Sequence, residues 1–286
     1  MNETNTLEVS AKKAGVDFGL TLVKACWIGA DGVMMYVSTA DLSRGELVTA
    51  LVADGITDLC VGGCGSREGF ERFRHHHLVN NNPMTDEVAL QSNGAIHLLR
   101  ESNVAISRRH LIVSIGTGTS FTLRDDEDFT PLLGSATGAG TVDALMRSWG
   151  WLRGAASIDG VIGEKFQTFD IMLGDVIRDF AGTPFVASSF GLVAREWQCG
   201  PDCFRRLAAS AVSLLITAVG DKLMQIGEKP GCEGITDVII LGTLPTRSRV
   251  VREQLEKMLA AFGKTLIFPP HGEYALAVGA YHDISL

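Results

Sequence analysis

The sequence predicts an α/β protein of two domains, because one structural plan occurs twice along the chain. Residues 14–28 read as a strand, a glycine turn and a returning strand, and residues 111–123 repeat the pattern. Alternating helices and strands follow each hairpin. We place the domains at 1–108 and 109–286, and allow the last helix, about 274–284, to pack back on the first domain. Two domains of one plan predict a ligand-binding cleft between them.

Composition narrows the function classes. Of 286 residues, 46% are hydrophobic and 20% are charged, so the chain can form a sizeable core. The net charge of −8 argues against nucleic acid or an anionic membrane surface as the main partner. Residues 1–10 lack the apolar segment of a signal peptide, and the apolar stretch 207–220 is too short to span a bilayer. We therefore expect a soluble, cytoplasmic protein.

The first domain begins with three antiparallel strands. Ala14, Gly15 and Val16 enter the first strand, Asp17 stands at its end, and Gly19 makes the turn into a strand at 21–27. Asp31-Gly32 is a hairpin-turn signal. The remaining elements expected in this domain are strands at 33–38 and 57–62 and helices at 42–54, 68–73 and 85–100.

Between those last two helices, the histidines at 75–77 are consecutive and share no face, so a surface loop is favoured over a metal site. The six cysteines are scattered, and the pairs at 60/64 and 199/203 have no nearby histidine pair. Reduced thiols are therefore favoured over structural zinc.

The second domain repeats the hairpin at 111–123 and continues with a small-residue loop at 134–140. Helix 203–226 is apolar on most faces, so it is either the core of this domain or a partner surface. The other elements expected are a mostly helical region at 157–181, helices at 141–149, 248–262 and 274–282, and strands at 237–241 and 265–268.

The glycine loop of the second hairpin suits a phosphate anion. Gly116 and Gly118 permit tight turns and close approach of a ligand, and Thr117 and Thr119 add hydroxyls beside exposed N–H groups. A hairpin turn without a ligand is the alternative. The loop at 134–140 precedes a helix whose N-terminal end also favours an anion.

Three further residues extend this interpretation. Asp17 can hold Mg²⁺ directly or through water, although it can also be a turn-capping aspartate. Lys24 can reach phosphate oxygens, although it can also be a solvated strand lysine. Gly242, after the strand 238–241, offers a surface for an adenine ring.

A family resemblance follows from motifs that run nearly end to end. They are VDFGLTLVK at 16–24, GG at 62–63, DEVALQSNG at 86–94, SIGTGTS at 114–120, GSATGAG at 134–140, VASSFG at 186–191 and VIILG at 238–242. The chain resembles the acetate/sugar kinase, Hsp70 and actin superfamily and, more narrowly, the type II pantothenate kinases. The resemblance implies two ribonuclease-H-like (actin-like ATPase) domains with a nucleotide cleft between them. It also implies ATP and Mg²⁺ as cofactors, a role in coenzyme A biosynthesis, a homodimer, and inhibition by coenzyme A or acyl-coenzyme A.

The resemblance also implies roles for single residues. Glu87 matches the catalytic glutamate that acts as base towards the substrate hydroxyl, although alone it would be an ordinary glutamate at a helix start. The positions that match phosphate contacts are Thr21, Lys24, Gly116, Thr117, Gly118 and Thr119. Gly138 and Gly140 match the loop near the nucleotide, and Gly19 and Gly242 complete the expected nucleotide-binding set.

The chain departs from the family pattern at three places. Leu20 replaces a glycine of the first loop, and Ala89 replaces a polar residue two places after the glutamate. Residues 131–133, Pro-Leu-Leu, replace the segment whose arginine would bind the substrate carboxylate. Arg124, Arg147 and Arg153 are candidate substitutes.

These departures keep two hypotheses open. One is a kinase of a small hydroxylated molecule, with pantothenate leading, and the other is a regulatory protein that binds a nucleotide or coenzyme A without turnover. An activator ATPase of the same superfamily has little support from the cysteine spacing.

Overall fold

The computed structural model describes residues 12–65, 79–82, 86–150, 158–193 and 201–283. The chain divides into two compact units, which we call unit 1 (Met1–His97 and Tyr274–Leu286) and unit 2 (Leu98–Glu273). The units divide between His97 and Leu98, whereas the sequence predicts a boundary between residues 108 and 109. The expected helix at 68–73 and the histidines at 75–77 lie outside the described residues.

The strands, in chain order, are β1 (Lys12–Phe18), β2 (Val23–Ile28), β3 (Met34–Ser38), β4 (Ile56–Gly62), β5 (Val79–Asn82), β6 (Arg109–Ile115), β7 (Thr119–Asp125), β8 (Asp128–Ser135), β9 (Ile171–Met172), β10 (Val186–Ser188), β11 (Asp237–Leu241) and β12 (Thr265–Ile267). The helices are α1 (Arg44–Ala53), α2 (Glu87–Glu101), α3 (Ala139–Ser148), α4 (Ile158–Ile162), α5 (Leu173–Val176), α6 (Pro201–Gly227), α7 (Thr243–Arg247), α8 (Arg249–Ala260) and α9 (Ala275–Asp283). Short 3₁₀ helices lie at Arg178–Phe180 and Gly272–Tyr274.

Each unit contains a five-stranded mixed sheet, and the two sheets have the same topology. In unit 1 the order is β3-β2-β1-β4-β5, with β1, β2 and β3 antiparallel and β4 and β5 parallel to β1. In unit 2 the order is β8-β7-β6-β11-β12, with the same directions around β6. The predicted α/β class and the repeated plan are confirmed.

Glycines allow α9 to lie against the backbone of β1 and α2. A Cβ atom on Gly15 of β1 would overlap the carbonyl oxygen of Ala277. A Cβ atom on Gly94 of α2 would overlap that of Ala275, and one on Gly279 would overlap that of Leu90. These backbone contacts place the last helix of the chain inside unit 1, where its residues are almost entirely buried.

The core of unit 2 is built around α6. Its inner residues, such as Ala208, Val212 and Leu215, are fully buried and pack with side chains from β6, β11, α3 and α8. The helix is longer than the apolar stretch at 207–220, and residues 202–227 pass the length and hydropathy criteria for a membrane span. However, 67% of its most apolar window is buried within the protein. The helix therefore has the position of a core helix, which gives the partner-surface interpretation no support.

Two local predictions are wrong. The region 157–181 is expected to be mostly helical, but its described residues, 158–181, are not, because α4, α5 and one 3₁₀ turn are all short and β9 pairs with β10. Gly163 interrupts the region with φ +71°, a conformation that a continuing helix does not allow.

The predicted loop at 134–140 begins instead as strand, since Gly134 and Ser135 end β8, and α3 already starts at Ala139. The sequence did not reveal β8 because Pro131 disfavours strands, but β8 is an edge strand, where proline is tolerated.

Candidate nucleotide and catalytic site

The predicted residues of unit 1 lie around the end of β1. Asp17 is paired directly opposite Lys24 in the antiparallel register of β1 and β2. The Lys24 Nζ atom lies 3.3 Å from Asp17 Oδ2, and both side chains are mostly buried. Burial raises the pKa of the Asp17 carboxyl above its ordinary value, and the Lys24 ammonium opposes the shift. The pair places one carboxylate and one cation beside the turn that joins β1 and β2.

The turn between β1 and β2 contains Gly19, Leu20 and Thr21. A Cβ atom on Gly19 would lie 2.8 Å from the Leu22 carbonyl oxygen, so a side chain there would force the turn apart. Leu20 is 70% exposed, so its side chain extends into solvent from the turn. Thr21 is exposed beside it. Leucine therefore projects from the turn where the resemblance leads us to expect glycine.

A second glycine turn, residues 62–65 after β4, packs on the end of β1. Because β1 and β4 are parallel, Gly62 is paired with Asp17. Gly63 has φ +96°, and a Cβ atom there would lie 2.6 Å from Asp17 Oδ1. The Gly65 N–H donates a hydrogen bond of 2.7 Å to the Phe18 carbonyl oxygen. This turn therefore needs glycine for both its conformation and its closeness to Asp17.

Glu87, the first residue of α2, contacts the same turn through Cys64. The Cys64 Sγ atom lies 3.4 Å from Glu87 Oε2 and 3.8 Å from Oε1, with the thiol as donor. Partial burial raises the pKa of the Glu87 carboxyl, and the charges of Asp17 and Asp86 add to the rise, whereas the Cys64 hydrogen bond lowers it. A carboxylate whose pKa is raised above its ordinary value accepts a proton more readily, as a general base must.

Asp17 fits a magnesium ion only in part. Mg²⁺ in phosphate-transfer sites is held by one or two carboxylates together with substrate phosphates and water. Within the described ranges, no three His, Cys, Asp or Glu side chains cluster as metal ligands. Asp17 Oδ2 also contacts Lys24. A metal ion at Asp17 would therefore need phosphate and water as further ligands.

In unit 2, two loops meet through their backbones. A Cβ atom on Gly138 would lie 2.5 Å from the Thr117 carbonyl oxygen, and one on Gly140 would lie 2.9 Å from the same atom. The Ala139 N–H donates to the Gly116 carbonyl oxygen at 2.8 Å. The start of α3 is therefore held against the β6–β7 turn by contacts that only glycine permits.

The β6–β7 turn leaves part of its backbone accessible. Gly116 and Thr117 are exposed, and Gly118 is tightly placed, since a Cβ atom there would lie 2.8 Å from the Ser135 carbonyl oxygen. Thr119 is buried, and its hydroxyl donates to the Thr137 carbonyl oxygen at 2.8 Å. Thr119 thus fastens the turn to the neighbouring loop.

Gly242 joins this group from β11. The parallel pairing of β6 with β11 sets Leu241 beside Ser114, so Gly242 follows next to Ile115. Gly242 has φ +118°, and a Cβ atom would overlap the Ile115 carbonyl oxygen. All seven glycines and threonines predicted for the second domain therefore surround one turn.

The two candidate substitute arginines that the structure describes, Arg124 and Arg147, are engaged elsewhere. Arg124 is buried, and its Nε donates to the Asp126 carbonyl oxygen at 2.7 Å in the β7–β8 turn. Arg147 pairs with Asp143 at 2.9 Å on the surface of α3. Arg153 lies outside the described residues. Neither described arginine has the role expected of the missing carboxylate-binding residue.

Sequence reasoning missed Cys64. The sequence presents it as one half of the cysteine pair at 60/64, whereas in the structure its thiol contacts Glu87. Its position in the glycine turn directly after β4 was the available signal, because a strand parallel to β1 ends beside Asp17.

The sequence matches no protein family model and no curated protein. Its structure is similar to solved structures along nearly the whole chain. The (R)-2-hydroxyglutaryl-CoA dehydratase component A of Acidaminococcus fermentans superposes with a TM-score of 0.57 at 14% identity, covering 95% of this chain and 96% of that one. A ROK family glucokinase of Streptomyces griseus, in complex with glucose and AMPPNP, gives 0.51 at 12%, covering 96% and 99%. A PilM–PilN type IV pilus biogenesis complex gives 0.51 at 11%, covering 95% and 98%.

The fold is that of the actin-like ATPases. These three proteins have different names and roles, and at identities of 11–14% the similarity shows a shared fold and not a shared function. The function has to be argued from the site residues.

Proposed function

We propose that the protein is an ATP- and Mg²⁺-dependent kinase that phosphorylates a hydroxyl group of a small molecule. The observation that carries the proposal is the position of Glu87, whose carboxylate is bound to the glycine turn that also contacts Asp17. The glucokinase neighbour, with bound glucose and AMPPNP, is compatible with this chemistry. Phosphoryl transfer depends mainly on positioning and charge stabilisation, which glycine turns and a fixed carboxylate provide.

The phosphate groups of ATP would be bound by backbone N–H groups of the turns. In unit 2 these belong to Gly116, Thr117 and Gly118, with the N-terminal end of α3 adding its dipole. Thr119, Gly138, Gly140 and Gly242 shape that turn. In unit 1, Gly19, Thr21 and Lys24 are the proposed contacts. Asp17 would hold Mg²⁺, which when bound would neutralise charge on the phosphates.

Glu87 is the proposed base. A hydroxyl is a weak nucleophile until a base orients it and accepts its proton, and the raised pKa of Glu87 favours that role. Asp17 is less suited because its carboxylate is already engaged with Lys24.

Pantothenate is the first substrate to test, on the strength of the resemblance to type II pantothenate kinases. A hydrogen bond from an arginine to a carboxylate contributes about 1.5–3 kcal/mol to binding. Loss of the arginine therefore lowers the affinity for a substrate that carries a carboxylate. Pro131, Leu132 and Leu133 lie in β8, and Arg124 and Arg147 are engaged elsewhere. A hydroxylated substrate without a carboxylate therefore belongs in the same panel.

Purified protein should be tested for phosphoryl transfer from ATP to pantothenate, pantetheine, sugars and acyl-sugars. We expect one substrate to be phosphorylated, and Glu87→Gln to lower kcat by about a hundredfold or more. Glu101→Gln, at the other end of α2, is the matched control and should keep activity. Absence of product on the whole panel, in protein with a cooperative unfolding transition, would overturn the kinase proposal.

The second candidate is a regulatory protein that binds a nucleotide or coenzyme A without turnover. The exposed Leu20 in the first turn and Ala89 favour it. It predicts that ATP or coenzyme A raises the Tm while no phosphorylated product forms.

The remaining expectations belong to the kinase proposal as well. A homodimer, inhibition by coenzyme A or acyl-coenzyme A, and a cytoplasmic location follow from the family resemblance and composition. Gel filtration tests the first, and addition of coenzyme A to the kinase assay tests the second.

A further inference from the structure

The glycine turn at residues 62–65 contacts two acidic residues of unit 1, Asp17 and Glu87. Gly63 lies against Asp17, and Gly65 donates a hydrogen bond to the Phe18 carbonyl oxygen. Between them, Cys64 directs its thiol to the carboxylate of Glu87. The turn is fixed on β1 by its two glycines, so the sheet determines the position of the Cys64 sulfur.

The thiol acts as a hydrogen-bond donor in this position. Burial and the neighbouring Glu87 charge raise the pKa of the Cys64 thiol, so it stays protonated at neutral pH. A protonated thiol is a poor nucleophile and a poor metal ligand, which argues against a covalent or redox role. It can still donate its proton to a carboxylate oxygen.

The charged groups near Glu87 have the opposite effect on its pKa to the Cys64 hydrogen bond. Asp17 on β1 and Asp86 before α2 are negative and disfavour ionisation of Glu87. Lys24 on β2 contacts Asp17. Among the described groups that act on Glu87, Cys64 stabilises the ionised form, and it does so by direct contact.

We propose that Cys64 is a positioning residue for Glu87. The Cys64 thiol donates a hydrogen bond that orients the Glu87 carboxylate and favours its ionised form as the base. The role as a base rests on the proposed kinase function, whereas the hydrogen bond can be tested without it.

The kinetic test compares the pH dependence of kcat/KM in Cys64→Ala, Cys64→Ser and the wild type. Because the base must be ionised, kcat/KM falls as the pH is lowered. Loss of the thiol should move this fall to higher pH, and it should also lower kcat. Serine keeps a donor and should largely restore the wild-type profile. Asp86→Asn removes a negative charge and keeps the oxygen that accepts from the Val88 N–H, so it should move the fall to lower pH. A Cys64→Ala profile that coincides with that of the wild type would overturn the proposal.

The second test needs no kinase activity. Iodoacetamide alkylation of Cys64 is followed by mass spectrometry in the wild type, Glu87→Gln and the control Glu101→Gln. Loss of the Glu87 charge should lower the thiol pKa and make alkylation several-fold faster, whereas the control should match the wild type. Equal rates in Glu87→Gln and the wild type would overturn the proposal. Faster alkylation in a protein that phosphorylates nothing would overturn the kinase function and still support the contact between Cys64 and Glu87.

Discussion

Leu20 is the residue of the β1–β2 turn that bears most directly on the proposed ATP site. It is 70% exposed between β1 and β2, so it adds little to the core, and it lies in the turn that we propose contacts the phosphates of ATP. Glycine at this position would open the backbone to a ligand. Its greater freedom in the unfolded chain would lower the free energy of unfolding by about 0.5–1 kcal/mol.

We therefore expect Leu20→Gly to bind ATP roughly three- to tenfold more tightly, which corresponds to about 0.7–1.4 kcal/mol. Isothermal titration of both proteins measures the change. Val33→Gly is a matched control, since Val33 is 58% exposed in the β2–β3 turn and should lose similar stability without a change in Kd. An unchanged or weaker Kd for Leu20→Gly would show that the leucine does not obstruct the nucleotide.

His110 on β6 makes stability depend on pH. The residue is buried, its Nδ1 lies 2.9 Å from the Ser107 carbonyl oxygen, and its Nε2 has no hydrogen-bond partner in the described part of the chain. Burial lowers the pKa of His110 below its ordinary value, so the folded protein binds fewer protons than the unfolded chain. The stabilisation is complete above the unfolded pKa of about 6.5 and is lost progressively as the pH falls below it.

Urea unfolding at several pH values should show a free energy of unfolding that declines below about pH 6.5, and His110→Gln should reduce the slope. His271→Asn is the control, because His271 is exposed with φ +56°, a conformation that asparagine tolerates. Identical slopes in His110→Gln and the wild type would exclude His110 as the source.

Helix packing at the element scale depends on glycine more than on helix propensity. Alanine at a helix interior is normally about 1 kcal/mol more favourable than glycine. At Gly94 of α2, however, a methyl group would overlap the Ala275 carbonyl oxygen and lie 2.7 Å from the Gly279 nitrogen. The overlap involves backbone, which cannot move aside as a flexible side chain could.

Gly94→Ala should therefore lower the free energy of unfolding by about 1–3 kcal/mol, measured by urea denaturation. Gly45→Ala in α1 is the control, since the nearest atom to its Cβ would be Ser43 Oγ at 4.0 Å. The control should be neutral or stabilising. A Gly94→Ala variant as stable as the wild type would mean that α2 and α9 separate at little cost.

Elements that local signals specify were predicted well. The hairpins at β1–β2 and β6–β7 carry alternating apolar residues and glycine turns, and α8 has Ser248 as its N-cap. The elements that were missed lack such signals. β5 has the sequence VNNN, and β8 contains a proline, so neither segment has a strong local preference for strand. Each forms a strand because it pairs with a neighbouring strand, β4 for β5 and β7 for β8.

At the scale of the whole molecule, the last helix stabilises the first unit. Leu276 and Ala280 of α9 are buried with Cys60 of β4 and Leu90 of α2, and the helix packs on β1. Unit 1 is therefore completed only when the end of the chain is in place, and its folding requires contacts between distant parts of the sequence.

A chain ending at Glu273 should lose hydrogen-exchange protection in β1 and β4 while β6 and β11 remain protected, because the latter strands belong to unit 2. A chain ending at Asp283, which lacks only residues 284–286, is the control and should keep both. Full protection of β1 in the shorter chain would contradict the role of α9.

The sequence by itself determined the α/β class, the repeated hairpin and the glycine turns, because strand alternation and turn chemistry are local properties. It also placed Glu87 at the start of a helix and Asp17 at the end of a strand. Tertiary structure decided that β4 lies parallel to β1, and so that Cys64 contacts a carboxylate 23 positions away in the chain. It also decided that α9 belongs to unit 1 and that α6 is core. These outcomes depend on contacts between segments that are distant in the sequence. The apolar composition of a helix shows that it is buried, but it does not specify which part of the protein packs against it.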